Sequence, residues 1–197
     1  LRERCIIKDD VEIINRKKAK GNPPFGQDGD DLVPPMPSFG EGEKLLVTGS
    51  THNEYGFRKT ADSAVQERLV KRLSNKILLN QDKITDTEEY FLEDAEIGII
   101  SYGISARASL KAVKVLREKG VKAGLLRLKT LWPFPEKVIG ELSSKVKKIV
   151  VPEMNLGQIV REVERVSDCE VIRLSKVNGE VITPTNIVEG LQTNIRS

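Results

Sequence analysis

The chain has 197 residues, 39% hydrophobic and 31% charged, the balance of an ordinary globular protein with room for one full core and a smaller piece beside it. Its 32 basic and 29 acidic residues are interspersed, so the net charge of +3 argues for a solvated mixed-charge surface and against a nucleic-acid-binding face. No apolar run approaches the roughly 18 residues that a membrane span needs and no signal-peptide pattern is present, so no membrane partner is expected and the cytoplasm is the expected compartment.

The chain opens on Leu1 with neither a capping nor a targeting pattern, as expected of a fragment or a processed piece. From Gly21 to Gly42 proline, glycine and aspartate dominate without helical or strand periodicity, which predicts an extended arm. Within it, Asp28 to Asp31 lack the D-x-D-x-D-G spacing and the closing glutamate of a calcium loop and read as a solvated turn. "KLLVTGS" predicts a short strand, followed by the polar loop "THNEYGFRKT". Thr60 is placed to cap a helix from Ala61 to Leu79, on which Val65, Leu69, Leu73 and Ile77 recur every four residues as a packing face.

After the acidic segment "TDTEEYFLEDAE" the pattern becomes a regular alternation of short apolar runs and amphipathic stretches. "IGIISY", "VKAGLLRLKTL", "KKIVVPE" and "CEVIRLSKV" predict strands. Between and after them, helices are predicted from Ser105 to Lys119, over "PEKVIGELSSKV", over "LGQIVREVERVS" and over "TPTNIVEGLQTN", the last with Thr183 as cap. Strands and helices that alternate through short connections require right-handed crossovers, hence an α/β fold: a doubly wound, mainly parallel sheet with helices on both faces, preceded by an extended arm. The expected organisation is an arm and linker over 1–59, a connecting helix and acidic segment over 60–94, and the α/β domain over 95–197.

The candidate site residues cluster at predicted strand ends, where open α/β sheets form their crevices. The turn after "IGIISY" carries Gly103 alone. Ser105 and Ala108 stand where a dinucleotide fingerprint needs further glycines, so Ser105 reads as a helix cap rather than part of a phosphate loop. Arg107, in the first turn, opposes the helix dipole and therefore suits an anionic group or a partner. In "TLWPFPE" two prolines fix Trp132 and Phe134, predicting a buried cap on the sheet end, with a partner contact through Trp132 as the alternative. "VPEMNLGQIVRE" places Glu153, Asn155 and Gln158 around a further strand-end turn. His52 is the only histidine, so a metal site built on it lacks its other ligands, and a loop or interface role is expected. Cys5 and Cys169 stand far apart, which excludes a CxxC motif and the four thiolates of an iron–sulfur cluster. No complete catalytic apparatus is visible, and the candidate site holds no catalytic, cofactor-binding or metal-binding residue.

Three segments in order carry a resemblance. "GSTHNEYGFRKTADSAVQERLVKRLSNKI" resembles the G-H-[DN]-E-x-G loop and following helix of 2-oxoacid:ferredoxin oxidoreductase α subunits, particularly of the 2-oxoglutarate type. "SYGISARASLKAVKVLREKGVKAGLLRLKTLWPFPE" is similar to their transketolase C-terminal-like domain, and "VVPEMNLGQIVREVE" to the segment that follows. The resemblance implies the C-terminal part of an α subunit that is inactive alone, within an enzyme that decarboxylates a 2-oxoacid oxidatively, forms an acyl-CoA and reduces ferredoxin. It implies a β subunit and further γ and δ subunits as partners. Thiamine diphosphate, Mg and an iron–sulfur cluster are expected in the complete complex and none in this chain. It also implies that His52, Gly103, Ser105, Arg107, Trp132, Glu153, Asn155 and Gln158 face a partner or coenzyme A. The competing readings are the C-terminal domain of another thiamine-diphosphate dehydrogenase or transketolase, and a stand-alone flavodoxin-like nucleotide-binding module.

Overall fold

The computed structural model describes residues 15–17, 23–26 and 32–195, so the expectations for Leu1, Cys5 and the 28–31 turn lie outside the described residues. The chain divides into two compact units, Leu1–Asn80 and Gln81–Ser197.

In the first unit, residues 32–50 run without regular structure, and the strand expected over "KLLVTGS" does not form. That segment contributes no partner ladder, and Leu46 and Val47 remain exposed, so its β-propensity has nothing to pair with. Residues 51–59 instead make a tight loop joined by an isolated antiparallel bridge between His52 and Arg58. Helix α1, Ser63–Leu78, starts two residues later than expected because Asp62, not Thr60, caps it: the Asp62 Oδ1 accepts the Val65 N–H at 3.0 Å. Of its predicted apolar stripe only Val65 is fully buried, and Leu73 is exposed.

The second unit opens with the single-turn α2, Gln81–Ile84, followed by β1, Thr87–Tyr90, and β2, Ile97–Tyr102. Next come α3, Gly103–Glu118, β3, Ala123–Leu128, α4, Glu136–Ser143, and β4, Lys148–Glu153. The unit closes with α5, Ile159–Val166, β5, Glu170–Ser175, and α6, Pro184–Ile195. The five strands lie in the order β1-β3-β2-β4-β5. Pairings β2–β3, β2–β4 and β4–β5 are parallel, and only β1 runs antiparallel, on β3. The acidic segment therefore supplies an edge strand that periodicity missed, because "TEEY" is too short and polar to display an apolar face.

The expected doubly wound arrangement is present. Side chains alternate across the strands, so Ile99, Leu125 and Val150 pack with Val113 and Leu116 of α3 and Ile187 and Leu191 of α6. Ile100, Leu126, Ile149 and Val151 face the other way, onto Ile139 and Leu142 of α4 and Val160 and Val163 of α5. Such burial contributes roughly 1.5–3 kcal/mol for each large aliphatic side chain. The cap expected on α6 forms reciprocally: Thr183 Oγ1 accepts the Asn186 N–H at 3.2 Å and Asn186 Oδ1 accepts the Thr183 N–H at 3.1 Å. Among the described residues no helix is long and apolar enough to cross a membrane.

Candidate functional site

Parallel strands that all end on one side leave the turns after β2, β3 and β4 side by side. The turn after β4 is built around a carboxylate. Glu153, the last residue of β4, is 1% exposed. Its Oε1 accepts the Ile159 N–H at 3.0 Å and its Oε2 the Val160 N–H at 2.9 Å, so it satisfies the otherwise free amides that open α5. The Tyr102 hydroxyl donates to the same Oε1 at 3.0 Å. Asn155 Nδ2 donates to the Tyr102 oxygen at 3.0 Å and to Glu153 Oε1 at 3.1 Å. Its Oδ1 accepts the Gly157 and Gln158 amides at 2.7 and 3.1 Å. Burial first, and then the bond to Glu153, push the Tyr102 phenol above the ordinary tyrosine range. This network locks β2 to the β4–α5 turn, and it uses Glu153 inside the turn rather than at its surface. Tyr102 gives no sign of this role in the sequence, because an aromatic at the end of an apolar strand carries no signal beyond packing.

The turn after β2 differs. Helix α3 begins at Gly103, with φ +54°, and no side chain caps it. Ser105 is buried within the first turn and does not cap the helix: its carbonyl accepts the Ser109 hydroxyl at 2.8 Å. Because the helix starts two residues earlier than expected, Arg107 lies one turn in and not at the dipole end, which weakens the electrostatic argument for it. Its side chain is exposed. After β3 the expected buried cap divides. Phe134 is buried, whereas Trp132 is 65% exposed, beside a cis Trp132–Pro133 bond. Together with Ile104, Leu131, Met154 and Leu156, Trp132 makes an exposed apolar set on three neighbouring turns.

His52 stands in the first unit. Its Nδ1 donates to the Ser50 carbonyl at 2.6 Å, and its ring meets Phe25 edge-on with centroids 4.6 Å apart. Asn53 closes the loop, its Oδ1 accepting the Tyr55 and Phe57 amides at 3.1 and 3.0 Å. The final glycine of "HNEYG", Gly56, has φ +84°, and a Cβ there would stand 2.2 Å from the Leu46 carbonyl oxygen, so this position admits glycine alone. Among the described residues no group of three His, Cys, Asp or Glu side chains could hold a metal, and burial pushes the Cys169 thiol up.

Residues 95–187 match the family "Pyruvate:ferredoxin oxidoreductase core domain II". The 2-oxoglutarate synthase subunit KorA of Methanothermobacter thermautotrophicus is 43% identical over 194 residues, 95% of this chain and 51% of that protein. The KorA subunit of Methanocaldococcus jannaschii is 45% identical over 194 residues, again 95% of this chain and 51% of that protein. The chain thus spans about half the length of the curated relatives it matches. Among solved structures, the 2-oxoglutarate:ferredoxin oxidoreductase from Magnetococcus marinus with 2-oxoglutarate, coenzyme A and succinyl-CoA bound matches with a TM-score of 0.81 and 26% identity, over 95% of this chain and 33% of that one.

Proposed function

The chain belongs to the 2-oxoacid:ferredoxin oxidoreductases, with core domain II over 95–187, and from that premise we propose that it is the C-terminal part of an α-type subunit. The whole enzyme decarboxylates a 2-oxoacid, 2-oxoglutarate by the names of its relatives, forms the acyl-CoA and passes the electrons to ferredoxin in the cytoplasm. The observation that carries this reading is identity of 43% and 45% to two KorA subunits, sustained over 95% of the chain through both units. The role of this part is assembly, and its isolated form is inactive.

The residues described do not fit an iron–sulfur cluster. An iron–sulfur cluster needs several thiolates, and Cys169 is the one described cysteine. We propose that the cluster lies on another part of the complex, and with it thiamine diphosphate and Mg, on a β subunit or on γ and δ subunits. The surface assigned to a partner is the apolar set around Trp132 and Gly103, with Arg107, Gln158 and Asn155 at its margin. The His52 loop is assigned to a second contact or to coenzyme A.

The test is anaerobic purification of the native protein with everything that accompanies it. A larger α chain bound to a thiamine-diphosphate and iron–sulfur partner, reducing ferredoxin in the presence of 2-oxoglutarate and coenzyme A, is the expected result. Trp132→Ser is expected to release the partner while leaving the thermal midpoint of the chain unchanged, because the indole is exposed. A partner-free chain without that activity overturns the reading.

A further inference from the structure

The first unit contains a cavity of about 720 Å³, within the size range of small-molecule sites. It is walled by Phe25 and Leu32 of the arm, by His52 to Glu54 of the loop, and by the face of α1 that carries Val65, Leu69 and Asn75. The charges that line it do not balance. Among the described residues that line it, Arg68, Lys71 and Arg72 of α1 are accompanied by a single carboxylate, Glu54. Lys71 is already paired with Glu67 on the exposed side of the helix. Among the described residues, no hydrogen bond or ion pair engages Arg68 or Arg72.

Arg72 is crowded by a like charge instead. Burial first, and then the Arg16 guanidinium, lower its hold on its proton. Arg16 and Arg72 line an adjoining cavity of about 300 Å³ that shares Phe25, His52 and Leu69 with the first. His52 stands in the wall common to both, and its Nε2 is buried with no partner among the described residues. A buried imidazole nitrogen left without a partner is costly, and two uncompensated guanidiniums one helical turn apart are poised to grip an anion in bidentate fashion.

We infer that this cavity binds a small molecule carrying a multivalent oxoanion, phosphoryl or polycarboxylate, gripped by Arg68 and Arg72, with His52 Nε2 accepting from a hydroxyl of the ligand and Phe25, Val65 and Leu69 against its apolar part. The inference rests on the assignment of the His52 loop to coenzyme A, itself a phosphoryl compound, and deepens it, while its test reads the first unit alone, so that its failure is distinguishable from failure of the subunit reading.

His52 is the only histidine in the chain and so reports on the cavity without assignment. The ¹⁵N-labelled 197-residue chain is titrated at constant ionic strength with inorganic pyrophosphate and, separately, with citrate. The His52 ring resonances and the heat of binding are both recorded. Saturable binding that moves His52 is expected, weakened about tenfold or more in Arg72→Gln and in Arg68→Gln and partly kept in Arg72→Lys. Arg68 is exposed, so Arg68→Gln leaves the fold intact and keeps the test decisive even where Arg72→Gln destabilises the chain. Saturation by pyrophosphate, by citrate or by both supports the site and identifies its ligand class. Binding that does not saturate, or that neither glutamine variant weakens, overturns it. Asp28, Asp30 and Asp31 follow the lining residue Gly26 in sequence. Saturation that emerges only after all three are changed to Asn assigns the cavity to the chain's own carboxylates and overturns the proposal equally.

Discussion

At the scale of single residues, Glu153 shows how a side chain that reads as a functional acid from sequence becomes an internal cap. Its two oxygens serve two helix amides, a phenol and an amide side chain. Glu153→Ala strands all four donors at a buried position, so it is expected to lower the stability of the second unit by about 2–4 kcal/mol, and Glu153→Gln, which keeps one oxygen, by about 1–2 kcal/mol; urea unfolding measures both. Glu88 offers a test in pH. Bonds from Lys129 and then Tyr90 hold its carboxyl down to about 2 from an ordinary value of 4.5. A carboxyl depressed in the folded state stabilises the fold above its unfolded pKa and loses that contribution as pH falls through the folded value. The acid-side loss between about pH 4.5 and pH 2 should therefore be shallower in Glu88→Gln than in the parent chain, and identical acid-unfolding curves would refute this. The sequence located Glu153, Asn155 and Gln158 on one turn, because a strand followed by a helix fixes where the turn lies. Burial separated their roles, and burial depends on what lies across the sheet, here Tyr102 fifty-one residues away from Glu153.

At the scale of elements, the legible parts were those whose periodicity repeats long enough to register. All four parallel strands and the helices α3 to α6 follow the apolar pattern, with ends displaced by a few residues. Two segments depart from their apolar pattern for one reason. "KLLVTGS" has strand-forming residues and no ladder partner, whereas "TEEY" has little propensity and a partner in β3, and pairing outweighs propensity in both. What recruits β1 is a side chain on another element. Arg117, in the last turn of α3, donates to the Ala123 carbonyl at 2.7 Å and to the Phe91 carbonyl at 2.9 Å, pairs with Asp94, and stacks its guanidinium 5.2 Å from the Phe91 ring centroid. These contacts fix the turn that leads out of β1, where Phe91 has φ +57°. Arg117→Ala is expected to destabilise the second unit by about 1–3 kcal/mol. It should also raise amide hydrogen exchange in 87–94 more than in β2 or β4. Uniform exchange across the sheet would mean that β1 is held by its ladder alone.

At the scale of the whole molecule, the two units differ in how far they satisfy themselves. Both apolar cores, one on each face of the sheet, are drawn entirely from the second unit. The first unit leaves Phe39, Leu46, Val47, Phe57, Leu73, Leu78 and Leu79 exposed and contributes no residue to either core. Residues 81–197 alone are therefore expected to unfold in a single cooperative urea transition, as small domains with their own core do. Where that domain starts is a quantitative question. The hydrophobic pattern places it at 95, the first residue of the regular strand–helix alternation. A chain cut there loses β1, the Glu88 bonds to Arg127 and Lys129, and the partly buried Tyr90 and Leu92, which pack on opposite cores. It also uncovers Gly124, over which the Phe91 carbonyl and Leu92 lie so closely that a Cβ would stand 2.6 and 2.5 Å from them. Exposing the β3 edge and removing the two large side chains that pack on the cores should cost about 3 kcal/mol or more. The comparison is therefore between 81–197 and 95–197 under the same denaturant series. A lower midpoint and a tendency of 95–197 to self-associate through its bare edge are expected. Equal midpoints would show that β1 rides on the sheet without supporting it, and would return the domain boundary to the position the hydrophobic pattern suggests.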